Sequence, residues 1–127
     1  MLKRLLTGCT IALVAAIVAP QSAHAQAEAM DMTISGTVVD VTCKFAKGAS
    51  GDAHRACGVA CASAGLPLAI LADDGTLYIP LGKDAGQPST VDLKPHVDHH
   101  VTVKGKVFTS GNAKGIMISE VSMMGND

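Results

Sequence analysis

The chain has 127 residues, with ten basic and eleven acidic side chains, five histidines and three aromatic rings, Phe45, Tyr78 and Phe108. That balance offers neither the cationic surface nor the stacking platforms on which nucleic-acid binding depends, so nucleic acid is not expected as a partner. The core must come from Val, Ile, Leu and Ala, and a domain of ~100 residues built that way is marginal enough to favour a covalent or metal staple and small for an elaborate enzyme site.

Residues 1–25 carry the pattern of a secretory signal: Lys3 and Arg4, an apolar stretch over 11–19, and Ala23-His24-Ala25 as a small-residue cleavage site. Cleavage after Ala25 leaves 102 residues with eight basic and eleven acidic side chains, and three cysteines instead of four, because Cys9 departs. Leu6-Thr7-Gly8-Cys9 is a competing lipobox reading, but a lipobox follows its apolar stretch and here the stretch runs mostly after the cysteine. Export implies a periplasmic address. With no second apolar run near ~18 residues, no membrane association is expected after cleavage.

Residues 26–32 are small, polar and aperiodic, and read as a flexible N-terminal arm. Residues 33–43 are rich in β-branched side chains and predict the first strand, with Gly36 where a strand bends. A flexible glycine-containing loop follows over 45–51. Residues 52–64 predict a helix, with Asp52 at the N-cap, frequent alanine, Gly65 as the stop and Pro67 just beyond. Ala53, Ala56, Ala60 and Ala64 share one stripe of it, the expected packing face. Apolar runs over 66–72 and 76–81 flank Asp73-Asp74-Gly75 and predict a hairpin. Residues 83–95 are polar, with one helical turn expected around 90–93. The alternating runs 101–109 and 116–121 predict a second hairpin, and 123–127 a C-terminal tail. Five short strands with one α-helix inserted after the first predict a mainly β fold, a small five-stranded OB-like β-barrel over 33–122.

The most informative residues are Cys43, His54, Cys57 and Cys61. Helical spacing of three, four and seven aligns His54, Cys57 and Cys61 on one face, and Cys43 re-enters that neighbourhood if the intervening loop folds back. Three thiols and an imidazole suit a soft or borderline transition metal, copper or zinc, and by ligand count match a closed tetrahedral zinc site. The competing reading is a structural disulfide of Cys43 with Cys57 or Cys61, closing a loop of about 15–20 residues and contributing roughly 3 kcal/mol. Cys57 with Cys61, one helical turn apart, meets disulfide geometry poorly. Any single bridge leaves an odd thiol.

A second cluster, His96, Asp98, His99 and His100, precedes the fourth strand, and His96, Asp98 and His100 would point together in an extended segment. Alternatively it is a polar loop. Met117, Met123 and Met124 are possible thioether ligands but more ordinarily core filler or tail. There is no G-x-S-x-G elbow and no phosphate-binding glycine loop, so no enzymatic turnover is expected.

Taken together, Val38-Val39-Asp40-x-x-Cys43, Gly48 … His54-x-x-Cys57-x-x-x-Cys61-x-x-x-Gly65-x-Pro67, Asp74-Gly75-Thr76-x-Tyr78 and Val101-x-Val103-x-Gly105-x-Val107 … Gly115-Ile116-x-Ile118 resemble a group of small exported bacterial proteins with an OB-like barrel. The resemblance covers nearly all of 33–122 and implies that barrel and a periplasmic address more than an activity. His99 and His100 stand where the group usually has a turn, so it implies no histidine site there. The expectation is a periplasmic metal-binding protein that buffers copper or zinc, or delivers it to another periplasmic protein. The alternative is a disulfide-stapled ligand- or protein-binding barrel without metal.

Overall fold

Alternation in the sequence becomes alternation of burial in the computed structural model, which describes residues 28–124. The signal-like segment, Cys9 and the cleavage position after Ala25 lie outside the described residues, as do 125–127. Along β4 (His100–Ser110), Val101, Val103 and Val107 are buried while Lys104 and Lys106 are exposed, and β5 (Ala113–Met123) buries Ile116 and Ile118 in the same way. From β1 (Met30–Asp40) come Ile34 and Val38, from β2 (Leu68–Ala72) Ile70, and from β3 (Leu77–Pro80) Tyr78. Each such aliphatic side chain removed from water stabilises the fold by about 1.5–3 kcal/mol before the entropy of ordering is charged against it.

These strands close into a barrel in the order β1-β2-β3-β5-β4, with β4 returning to β1. The β3–β5 pair is parallel and the others are antiparallel. This is the OB-like barrel that the strand tally predicts. Closure depends on β1, which pairs with β4 through Met30–Thr37 and with β2 through Gly36–Asp40. Gly36 lies in the overlap, and a Cβ there would run into the Leu71 carbonyl, so the two strands approach this closely only because the position is glycine.

Several boundaries differ from expectation. Met30–Met32 are not a loose arm but pair with Gly105–Val107 of β4, and β5 continues to Met123. The single turn expected around 90–93 is a 3-10 turn at Lys94–His96, with Leu93 buried before it. The first strand does not reach Cys43. It stops at Asp40, whose carboxylate caps a short helix, α1 (Val41–Lys47), by accepting from the Cys43 backbone N–H at 2.9 Å. Gly48, left-handed at φ 65°, ends α1 where a flexible loop was expected. The longer helix, α2 (Arg55–Ser63), begins later than Asp52, with His54 at its N-cap. It packs on β1 and on the Lys94–His96 turn. Among the described residues no helix is long and apolar enough to cross a membrane.

Candidate metal centre

Two helices and one loop deliver the site. Cys43 lies in the first turn of α1, fixed by the Asp40 cap, instead of at a strand end. His54, Cys57 and Cys61 follow α2 from its N-cap at the predicted helical spacing. The alanine stripe is not the packing face: Ala53, Ala56, Ala60 and Ala64 are exposed, and the buried residues of α2 are Gly58 and Ala62. Gly58 explains the difference. A Cβ there would come within 2.5 Å of Val97 Cγ1, so the missing side chain lets the helix settle directly on Val97, bringing the start of α2 over Asp98.

The donor atoms form two groups that share one member. Those of Cys43, His54 and Cys57 lie within 4.8 Å of one another, as do those of Asp40, Cys43 and Cys61. All four residues read from the sequence are therefore brought together, but around Cys43 and not as one closed tetrahedral set. Asp40 is an addition to the residues expected from the sequence; its one signal there is an acidic residue three positions before Cys43, and that is equally the signal of a helix cap. Asp40 is 1% exposed, Cys43 and Cys61 are half-buried, and Cys57 is exposed.

His54 is oriented from behind. Its Nδ1 lies 2.8 Å from Asp98 Oδ2, with the Asp98 side chain fully buried. Against a carboxylate that can only accept, a neutral ring donates through Nδ1 and keeps its lone pair on Nε2. That Nε2 is buried and has no hydrogen-bond partner. A carboxylate–imidazole pair with the second nitrogen free is the arrangement by which proteins fix a metal-ligating histidine. Asp98 is itself pinned by its backbone N–H, which donates to Val38 carbonyl at 2.7 Å, while Val38 N–H donates to His99 carbonyl at 3.2 Å.

Asp40 Oδ2 and Asp98 Oδ1 are also buried without partners. A buried polar atom left unpaired costs about 1–3 kcal/mol, so a cluster of them beside three thiols is what a ligand would relieve. Burial pushes the Cys61 thiol up to about 11, reinforced by the Asp40 side chain and by Cys57 and Cys43. At neutral pH this thiol therefore keeps its proton until a cation displaces it. The thiols of Cys43, Cys57 and Cys61 are free, so the expected alternative of a disulfide staple is not formed among the described residues.

The histidine-rich segment does not converge. His96 closes the 3-10 turn, Asp98 turns away through φ 59° to serve His54, and His100 Nε2 pairs with Asp73 Oδ1 at 2.8 Å on the surface. Met123 and Met124 are exposed. No family model matches the chain, and neither a curated protein nor a solved structure does.

Proposed function

We propose that the protein binds a soft or borderline transition metal, copper or zinc, through Cys43, His54 and Cys57 with Cys61 beside them, and that it works in the periplasm by holding the ion or passing it to another periplasmic protein. The observation that carries this reading is a His54 ring nitrogen grouped within 4.8 Å with the Cys43 and Cys57 sulfurs, on a ring whose Nδ1 is backed by Asp98 and whose Nε2 is buried and unpartnered. Thiolate and imidazole are the donor types that both metals accept. The exposed Cys57 gives an incoming ligand a point of attack while His54 and Cys43 still hold the ion, which suits transfer better than permanent structural binding. No chemical turnover is part of the proposal. The periplasmic address rests on the signal-like pattern of residues 1–25.

The test is a count of reactive thiols in the protein as isolated, without reductant, followed by titration of the metal-free protein with Zn(II) and with Cu(I) and a second thiol count after loading. Uptake with protection of the cysteines is expected, and His54→Ala should weaken it about tenfold or more, as loss of ligand support does at such sites. One free thiol and no uptake would instead establish the disulfide-stapled binding barrel.

A further inference from the structure

We infer that Asp40, Cys43 and Cys61 form a second metal site, joined to the first through a shared Cys43 thiolate, so that the folded chain takes two divalent ions of the zinc class. This rests on the metal-binding reading above and adds to it a ligand, a stoichiometry and a choice of metal.

The geometry supplies the first reason. Asp40 and Cys61 fall outside the group that His54 and Cys57 make with Cys43, so an ion seated in that group leaves them unserved, while the two of them make their own group with Cys43 inside 4.8 Å. A tetrahedral zinc ion with bonds of about 2.0–2.3 Å holds its donors roughly 3.5–3.8 Å apart, so small side-chain rotations close either group onto an ion. The second reason is Asp40 itself. One carboxylate oxygen, Oδ1, accepts from the Cys43 N–H, which is all that the helix cap requires. The other, Oδ2, is buried on a residue 1% exposed and has no partner. Capping does not account for that second oxygen; a cation held by the carboxylate and the two sulfurs, in place of the Cys61 thiol proton that Asp40 faces, does.

Charge selects the metal. Three thiolates and one carboxylate supply four negative charges, the His54 imidazole is neutral, and two divalent ions balance them. Two Cu(I) ions would leave a double negative charge in a half-buried cluster, and Cu(I) does not favour an oxygen donor. Loading both ions releases the three thiol protons to solvent.

The experiment is native mass spectrometry of the reduced, metal-free protein after addition of excess Zn(II), with circular dichroism to verify folding. Two bound ions are expected for the unmodified protein. Asp40→Asn, which retains an N-capping side chain, and Cys61→Ser should each hold one. Cys43→Ser, which removes the shared donor, should hold none. The second site is overturned if the unmodified protein holds one ion, or if folded Asp40→Asn or Cys61→Ser still holds two. If the unmodified protein holds no Zn(II) at all, the metal-binding reading fails with it.

Discussion

Asp98 occupies a left-handed backbone conformation, φ 59°, that among residues with a side chain suits chiefly asparagine and aspartate. Its carboxylate is spent on His54, 44 positions earlier in the chain. Asparagine should therefore keep the backbone while changing the chemistry: if its amide donates to Nδ1, the ring proton moves to Nε2 and the metal-facing lone pair is lost. Asp98→Asn should lower Zn(II) affinity about 10–100-fold with little change in melting temperature, read by competition against a chelator. Cys61 yields a pH prediction. Its thiol holds a proton to about 11 in the folded chain, against an ordinary value of 9.0, because it is desolvated and faces Asp40 and the other thiols. The folded state thus binds this proton more tightly, so its contribution to stability is intact below pH 9 and is lost as pH rises toward 11. Denaturant unfolding of the reduced, metal-free protein should show that decline, and Cys61→Ser should flatten it. Tyr78, raised by burial, declines in the same direction, so the difference between the two proteins isolates the thiol.

The two helices differ in how far the sequence reveals them. The three candidate ligands along α2 and its N-cap are legible because period 3.6 is local: His54, Cys57 and Cys61 need no knowledge of the rest of the fold to share a face. Its packing face is not, because alanine reports helix propensity while burial depends on which neighbour arrives, and Gly58 reads only as an irregularity until Val97 is beside it. The helix α1 is hidden for another reason. Val41 and Thr42 continue the β-branched run of β1, so the chain type does not change where the structure does; the cap at Asp40 and the stop at Gly48 mark the ends. Gly58→Ala weighs these effects against each other. Alanine gains about 1 kcal/mol of helix propensity, but its Cβ would meet a methyl of the fully buried, β-branched Val97, which has little freedom to yield. Overpacking of this kind costs about 1–3 kcal/mol, so the variant should melt lower. It should also bind Zn(II) more weakly, because lifting α2 draws His54 away from Asp98.

At the scale of the whole molecule, five strands are legible, β1 from its β-branched run, β4 and β5 from period-two alternation, and β2 and β3 from short apolar runs on either side of a turn, and hairpins plus one long first strand that serves two neighbours make up the observed order. The start of β1 at Met30 is not legible, for Met30–Met32 lack any pattern and acquire their structure from β4. A barrel of this size with a single buried aromatic ring, Tyr78, has little stability to spare. Metal should supply a large share of it: at a free ion concentration 1,000 times the dissociation constant, linkage adds about 4 kcal/mol. Thermal unfolding of the Zn(II)-loaded protein should accordingly fall by well over 10 °C when a chelator strips the ion, since 1 kcal/mol moves the midpoint of so short a domain by about 4–8 °C.

The two hydrogen bonds between Val38 and the segment around Asp98 also tie the orientation of His54 to the closed barrel. The cysteines come early in the chain, but the residue that turns the His54 ring comes after β3, and it is held by a strand of the barrel. A chain crossing a membrane unfolded would therefore carry thiols with no preference among passing ions. On the proposed metal-binding reading, selection begins only when the last third of the polypeptide has been folded back against the first, so what the protein would load is decided by the compartment in which folding finishes.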